Sequence, residues 1–443
     1  MIFQTIVALA TPPLPSALAI IRLTGQDVFS LVEKISDQSF TQLTQKTMLF
    51  GRIKDGQEVI DQVVFLVFVA PQSFTGDHVV EIICHGSMVV VHQILALAIQ
   101  HGARQAEPGE FSLRAYLNHK IDLVQAEAVH DMIQAPTPEA KRLAIQSLEG
   151  NTSALLAPLR TKIADLLALM EVNIDYPEYE DIGQVSIEKT KQETLEMLAM
   201  IEPIIAQAEQ SRYIHEGITV AIIGRPNVGK SSLLNALFKE EKAIVTPFAG
   251  TTRDVVEASF NMDGLLIKLL DTAGIRDHAE AIETIGIEKS KQSIQKADLV
   301  LMVVDATDAW NQEDHMVFQL IKDKKHLLVY NKSDLIHDKE QGKLYISALK
   351  KDISSLKKAI LTLFEVHDQR LQQPSFYQSR HIGELKQIQS ALKKAHEDAH
   401  HLLTIDLLAA SLQDAYFHTV TLLGLEGSSA LASDIFSRFC VGK

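Results

Sequence analysis

Cysteine is nearly absent from this 443-residue sequence: Cys84 and Cys440 are the only two, far apart and without metal-type spacing. That excludes a disulfide framework and suits a reducing cytoplasm. A surplus of positive charge is missing too. Lys and Arg total 42 against 56 Asp and Glu, a formal net charge of −14, which argues against broad sequence-blind nucleic-acid binding. Any RNA contact is then left to a local basic patch or to a partner. Nor is there a hydrophobic run suited to a membrane. Met1 to Ile21 has no basic leader and holds Pro12, Pro13 and Pro15, unlike a signal peptide. Ile82 to Ala103 lacks Asp, Glu, Lys and Arg, yet carries His85, His92, Gln93, Gln100 and His101, which are costly in lipid. It reads as a buried strand followed by a helix. The expectation is a soluble, cytoplasmic protein of two or three domains, with no membrane partner.

What is there starts from Gly224-Arg225-Pro226-Asn227-Val228-Gly229-Lys230-Ser231, between the apolar run Ile218 to Ile223 and the helical start Ser232-Leu233-Leu234. Strand, glycine loop and helix make the context of a phosphate-binding P-loop. The glycines let backbone N–H groups point at an anion, and the helix N-terminus adds partial positive charge. Asn227, Val228, Gly229, Lys230, Ser231 and Ser232 form the phosphate-binding set, with Lys230 reaching the β- and γ-phosphates and Ser231 a ligand for Mg²⁺. Asp271-Thr272-Ala273-Gly274 ends a second apolar run, Leu265 to Leu270. Its Asp can hold the Mg²⁺ shell and its Gly N–H can touch the γ-phosphate. Asn331-Lys332-Ser333-Asp334 closes a third run, His326 to Tyr330. The Asp334 carboxylate can accept both N1–H and the exocyclic N–H of guanine, and adenine offers neither. A site built to hydrogen-bond a group rejects the analogue lacking it by orders of magnitude. Ser347-Ala348-Leu349 follows the strand Leu344 to Ile346 and can present a backbone N–H to the guanine oxygen. Four motifs in this order specify a GTPase domain.

The remaining chain sorts into a multidomain α/β plus α architecture. Residues 1–118 read as α+β, with strands at Thr5 to Ala8, Ala19 to Leu23, Val63 to Val69 and Val79 to Cys84 and helices near 26–35 and 88–101. Period two puts Glu81 on the face of Val79 and Ile83. Either it has a partner there, or the strand is an edge with that face solvated. Residues 119–215 turn helical, with Leu156, Leu159, Ile163, Leu166 and Met170 as one seam and Leu195, Leu198, Ile201 and Ile205 as another. Pro136 and Pro138 interrupt a helix, and Asp175 to Asp181 is an acidic connector. The GTPase domain takes 216–367, and helical periodicity returns over 368–443 with Leu385, Ile388, Leu392, Ala395, Ala399 and Leu402. Two strandless flanks predict one discontinuous helical domain with the P-loop (Ras-like) GTPase domain inserted in it.

In the switch region, Thr252 of Gly250-Thr251-Thr252-Arg253-Asp254 is the threonine expected on Mg²⁺. Ile275 follows Asp-Thr-Ala-Gly where Ras-like enzymes place a water-orienting glutamine. Water must then be positioned from elsewhere, with Arg276, Glu280 and Glu283 nearby.

The chain resembles, end to end, the MnmE (TrmE) family of tRNA-modification GTPases. The resemblance rests on Gly224 to Ser231, Gly250 to Asp254, Asp271 to Ile275, and Glu283-Thr284-Ile285-Gly286-Ile287. Outside the GTPase domain it rests on Pro108-Gly109-Glu110-Phe111, Arg114 to Asn118, Lys120, Asp122-Leu123, Gln125 to Ala128 and Phe439-Cys440-Val441-Gly442-Lys443. The resemblance implies a homodimeric switch whose GTPase domains meet across K⁺, the cation standing in for an arginine finger. Asn227, Thr246, Phe248 and Thr251 would then hold K⁺, Ser231 and Thr252 would hold Mg²⁺, and Glu283 would be the catalytic glutamate. The N-terminal domain would bind 5-formyl- or methylene-tetrahydrofolate through Arg22, Glu81, Lys120 and Lys443, with Glu81 facing the pterin edge. An MnmG/GidA-type flavoprotein, carrying the flavin, would join it to add an aminomethyl-type group to C5 of the tRNA wobble uridine. Cys440 is needed for modification in the family. Its Cys-Val-Gly-Lys spacing mimics a prenylation box, but Gly442 and Lys443 are wrong for one.

Three points stand apart. Leu14 to Ala19 lacks the glycines that family members often have there, which leaves the shape near the folate pocket open. His396-Glu397-Asp398-Ala399-His400 fits the zinc-protease pattern. Lys393 and Lys394 crowd it and no third ligand announces itself, so it reads as one face of a packed helix. The alternative function is an Era/Der-like RNA-binding assembly switch. That class is expected to append a basic KH-type module, which the sequence does not show.

Overall fold

The computed structural model describes residues 4–175, 187–240, 256–270, 293–364, 373–401, 404–425, 435–437, 439 and 442. They fall into two compact units, Met1–His130 with Phe417–Lys443, and Asp131–Tyr416.

In the first unit, β1 (Ile6–Leu9), β2 (Leu18–Thr24), β3 (Thr47–Asp55), β4 (Glu58–Phe68), β5 (Val79–His85) and β6 (Arg104–Gln105) make a six-stranded sheet in the order β3-β4-β5-β2-β1-β6. The pairing is antiparallel except between β1 and β6. Ile21, Leu23, Phe65, Val80 and Ile82 bury one face against Val91 and Ile94 of the Met88–Gln100 helix. The sequence reading has no counterpart of β3. The two-residue Gly56-Gln57 turn that follows Asp55, with Gly56 at φ 57, is the signal it overlooks. β5 lies between β4 and β2, so Glu81 is not on an edge. It sits opposite Arg22 in register, and Arg22 Nε donates to Glu81 Oε1 at 2.7 Å. A carboxylate on a half-buried face has found its partner across the strand.

The end of the chain packs into this same unit. Phe436 and Phe439 join Tyr116, Leu123 and Ala126 in one apolar cluster, and the Tyr116 hydroxyl donates to the Gly424 carbonyl. Arg22 Nη1 donates to the Gly442 carbonyl at 2.9 Å.

In the second unit, Thr137 caps the Pro138–Leu148 helix by accepting from Ala140 N–H, with Pro138 in the first turn where a missing N–H does no harm. The seam Leu156, Leu159, Ile163, Leu166 and Met170 is buried as its spacing predicts. The second seam is buried as expected at Ile201 and Ile205 but displaced before them: Leu195 is 58% exposed, and the Ile187–Glu216 helix there buries Thr190, Thr194 and Met197 instead. Two threonines can line a core because Thr194 Oγ1 donates back to the Thr190 carbonyl at 2.7 Å. Leu385, Ile388, Leu392, Ala395 and Ala399 of the Ser379–His400 helix are buried as expected.

The second sheet runs β12-β11-β10-β7-β9-β8, from β7 (Ile218–Ile223), β8 (Val256–Met262), β9 (Leu265–Leu270), β10 (Leu299–Asp305), β11 (His326–Asn331) and β12 (Leu344–Tyr345). All pairs are parallel except β8 with β9. Separate apolar clusters cover its two faces, so β10 is buried at every position. β7 is where the strand order reverses, β9 lying on one side and β10 on the other. Ligands of such sheets bind outside the carboxyl ends of the strands at that point. No described helix is long and apolar enough to cross a membrane.

Gly217 alone separates the Ile187–Glu216 helix from β7. Its φ is 77, and a Cβ there would lie 2.5 Å from the Leu266 carbonyl oxygen. Gly217→Ala is expected to lower unfolding free energy by about 1–3 kcal/mol, through backbone strain and the clash; urea denaturation checks it.

Candidate nucleotide-binding site

The loop after β7 is shaped by contacts to its neighbours. A Cβ on Gly224 would meet the Val303 carbonyl of β10 at 2.2 Å, and one on Gly229 would meet Asn331 Nδ2 at 2.2 Å. Asn227 takes the left-handed region at φ 61. The Lys230–Glu240 helix opens directly behind it, with Ser231 and Ser232 exposed at its first turn. Lys230 Nζ donates to the carbonyls of Gly224 and Arg225, each at 2.8 Å. Burial pushes its ammonium below the ordinary lysine range. Among the described residues no carboxylate pairs with it, so a desolvated cation faces only neutral dipoles. That donor set fits an anionic phosphate. Arg225 is otherwise engaged, 2.7 Å from Asp308 and 3.7 Å from Asp314.

The loops after β11 and β12 meet the P-loop through Asn331. Its Nδ2 donates to the Val228 carbonyl at 2.8 Å, and its Oδ1 accepts from Ala348 N–H at 3.0 Å. The Ala348 N–H is thus engaged by Asn331 rather than standing free for a guanine oxygen. Ser347 Oγ donates to Asp334 Oδ1 at 2.6 Å. That bond holds the Asp334 carboxyl below the usual carboxylate range and fixes the plane of the group. Lys332, at φ 65, reaches Asp305 Oδ2 at 2.5 Å. Burial raises the Asp305 carboxyl, but Lys332 and the Thr307 hydrogen bonds outweigh it and leave the group lowered. The sequence reading omits Asp305. Its signal was the run Leu299 to Val304, the one central strand that carries no nucleotide motif.

The structure therefore brings Asn227 to Ser232 together with Asn331, Lys332, Asp334, Ser347 and Ala348. Thr246, Phe248, Thr251, Thr252, Asp271 to Gly274, Glu283, Cys440 and Lys443 lie outside the described residues. The Mg²⁺ set is consequently described only at the exposed Ser231, whose hydroxyl suits a hard cation. In the N-terminal unit Arg22 and Glu81 are the ion pair above. The Gly442 carbonyl accepts from the Arg22 of that pair. Lys120 lines a recess of about 260 Å³ with Tyr116, His119, Asp122, Gln125 and Gly424. Cys84 is buried, and burial pushes its thiol up to about 11.

Two family models match this chain: the GTP-binding protein TrmE N-terminus over residues 5–120 and the MnmE helical domain over 123–440. The tRNA modification GTPase MnmE of Streptococcus sanguinis is 38% identical over 100% of this chain and 99% of that protein. Its counterpart in Acholeplasma laidlawii is 40% identical over 100% of both. The chain belongs to the MnmE family. By that membership it is a tRNA-modifying GTPase, and the MnmE fold accounts for its α+β, helical and P-loop parts. Aquifex aeolicus Era bound to GDP·AlF₄⁻ is 29% identical, covering 39% of this chain and 66% of that one at a TM-score of 0.26. The FeoB G-domain of Methanococcus jannaschii is 31% identical over 33% of this chain and 98% of that one, at 0.25. Overlaps this poor add nothing to the MnmE assignment.

Asp334→Asn is expected to weaken GTP binding by about 10²-fold or more and to favour xanthosine triphosphate, whose base accepts where guanine donates; fluorescent-nucleotide titration checks it. Because the Asp334 carboxyl is depressed, it stays ionised as pH falls. GTP affinity should hold from pH 7 to 5 and fail only below.

Proposed function

We propose that this MnmE-family chain is a K⁺-activated GTPase that works with an MnmG/GidA-type flavoprotein. The pair adds a carboxymethylaminomethyl or aminomethyl group to C5 of the wobble uridine of certain tRNAs, drawing on a tetrahydrofolate one-carbon unit. The observation that carries this reading is the match through both accessory domains, at 38–40% identity over the whole chain. A bare GTPase switch lacks those domains. The Era/Der-like alternative has nothing beyond the shared nucleotide motifs in its favour.

In this reading Asp334 selects guanine, Asn331 couples the base and phosphate loops, and Lys230 leaves its two carbonyl partners for the β- and γ-phosphates. Ser231 and Thr252 hold Mg²⁺, Asn227 with Thr246, Phe248 and Thr251 holds K⁺, and Glu283 orients the attacking water. When bound, the two cations supply positive charge against the charge developing on the transferred phosphoryl group. The chain acts as a homodimer with domain limits near 118, 215 and 367, in the cytoplasm. Arg22, Glu81, Lys120 and Lys443 hold the folate, and Cys440 takes part in modification. With a net charge of −14, contact with tRNA falls to a local basic patch or to the flavoprotein.

GTP hydrolysis is expected to run much faster in KCl than in NaCl at equal ionic strength, and equal rates would remove the K⁺ mechanism. Nucleoside analysis of tRNA from a strain lacking this protein should show the wobble uridine without its C5 substituent. An unaltered nucleoside profile would refute the modification role.

A further inference from the structure

The sequence gives His396 and His400 a protease-like spacing without a third ligand. The structure gives them a geometry that spacing alone does not. In the Ser379–His400 helix, Ala395 and Ala399 are fully buried, His396 is half-buried and His400 faces solvent. The two rings stand at 78°, with Nε2 of His400 3.2 Å from Nε2 of His396. The other ring nitrogen of His396, Nδ1, lies 3.0 Å from Thr194 Oγ1 on the neighbouring Ile187–Glu216 helix.

That hydroxyl also lies 2.7 Å from the Thr190 carbonyl and 3.0 Å from the Lys191 carbonyl. A hydroxyl has one proton, and here it goes to a carbonyl, so Thr194 can only accept from His396. Nδ1 therefore carries the imidazole proton, and Nε2 of neutral His396 is a lone pair aimed at His400. A tetrahedral ion bound at about 2.05 Å by each of two imidazoles holds their nitrogens about 3.3 Å apart. A neutral His400 protonated on Nε2 can bridge the same gap by a hydrogen bond. Ion and proton thus compete for one site.

The surroundings favour the ion on balance. His400 is the last residue of its helix, where the backbone dipole presents its negative end. Glu397, exposed, is a carboxylate one turn before it, while Lys393, also exposed, opposes from one turn before His396 on a long flexible stem. We propose that His396 and His400 form an open two-nitrogen chelate for a divalent transition ion of the zinc, nickel or copper class. Water completes the coordination, and Thr194 positions His396. Among the described residues no group of three His, Cys, Asp or Glu side chains is assembled, so the proposed ligand set is the two imidazoles. Its effect is to clip the final turn of the helix.

The test uses the full chain, stripped with a chelator and then saturated with Mg²⁺ and GDP so that the nucleotide site is closed to competitors. NiCl₂ is titrated against a metallochromic indicator. Wild type should take up one more equivalent of Ni²⁺ than His400→Ala, a solvent-facing change that leaves the fold intact. His396→Gln should lose the same equivalent. Thr194→Val should weaken it by about ten-fold, and Thr194→Ser should restore it. Unchanged Ni²⁺ uptake in His400→Ala, or no such equivalent in wild type, would overturn the proposal.

Discussion

Asn331 is 3% exposed at the end of β11, and both ends of its carboxamide are spent on backbone: the carbonyl of Val228 and the N–H of Ala348. A buried amide left unpaired costs about 1–3 kcal/mol, so neither bond can be dropped cheaply. Gly229 has no side chain because Asn331 already fills the place where a Cβ would go. The P-loop and the loops after β11 and β12 are therefore braced against each other through one side chain. Asp334 and Lys332 hang from the same segment, each fixed by its own partner, Ser347 and Asp305. One buried side chain thus ties the loops after β7, β11 and β12 to one another.

The accessory parts follow a similar logic of compulsory pairing. Glu81 and Arg22 neutralise each other between central strands, and the same guanidinium takes the Gly442 carbonyl. One side chain thus joins two strands of the N-terminal sheet to the end of the chain. In the helical part, Thr194 occupies a core position because its hydroxyl is satisfied within its own helix turn.

Much of this could be read from the amino acids, for identifiable reasons. The boundaries of β7, β9, β11 and β12 follow from short apolar runs that end on motif residues, because P-loop chemistry demands fixed residue types at strand ends. The run Leu299 to Val304 of β10 is wholly apolar, yet it carries no motif, so neither the strand nor Asp305 stands out in the sequence. In the Ile187–Glu216 helix Ile201 and Ile205 are buried as their spacing predicts, while the first part of the seam lies one residue earlier, on Thr194 and Met197. Leu195 and Leu198 look apolar and Thr194 does not, and only the hydroxyl's local bond reverses that ranking. The packing of Phe436 and Phe439 beside Tyr116 spans more than three hundred residues of sequence, and no periodicity carries such a contact. Glu81 lay between the two cases. Its strand was evident, but its partner became visible only when the strand order placed β2 beside β5.

The buried Cys84 thiol carries a practical corollary. With its proton held to about 11, only on the order of one molecule in ten thousand presents a thiolate at pH 7, and the side chain is closed to solvent besides. Maleimide labelling or alkylation of the native protein at neutral pH will therefore leave Cys84 unmodified, and unfolding can be followed by the appearance of its label.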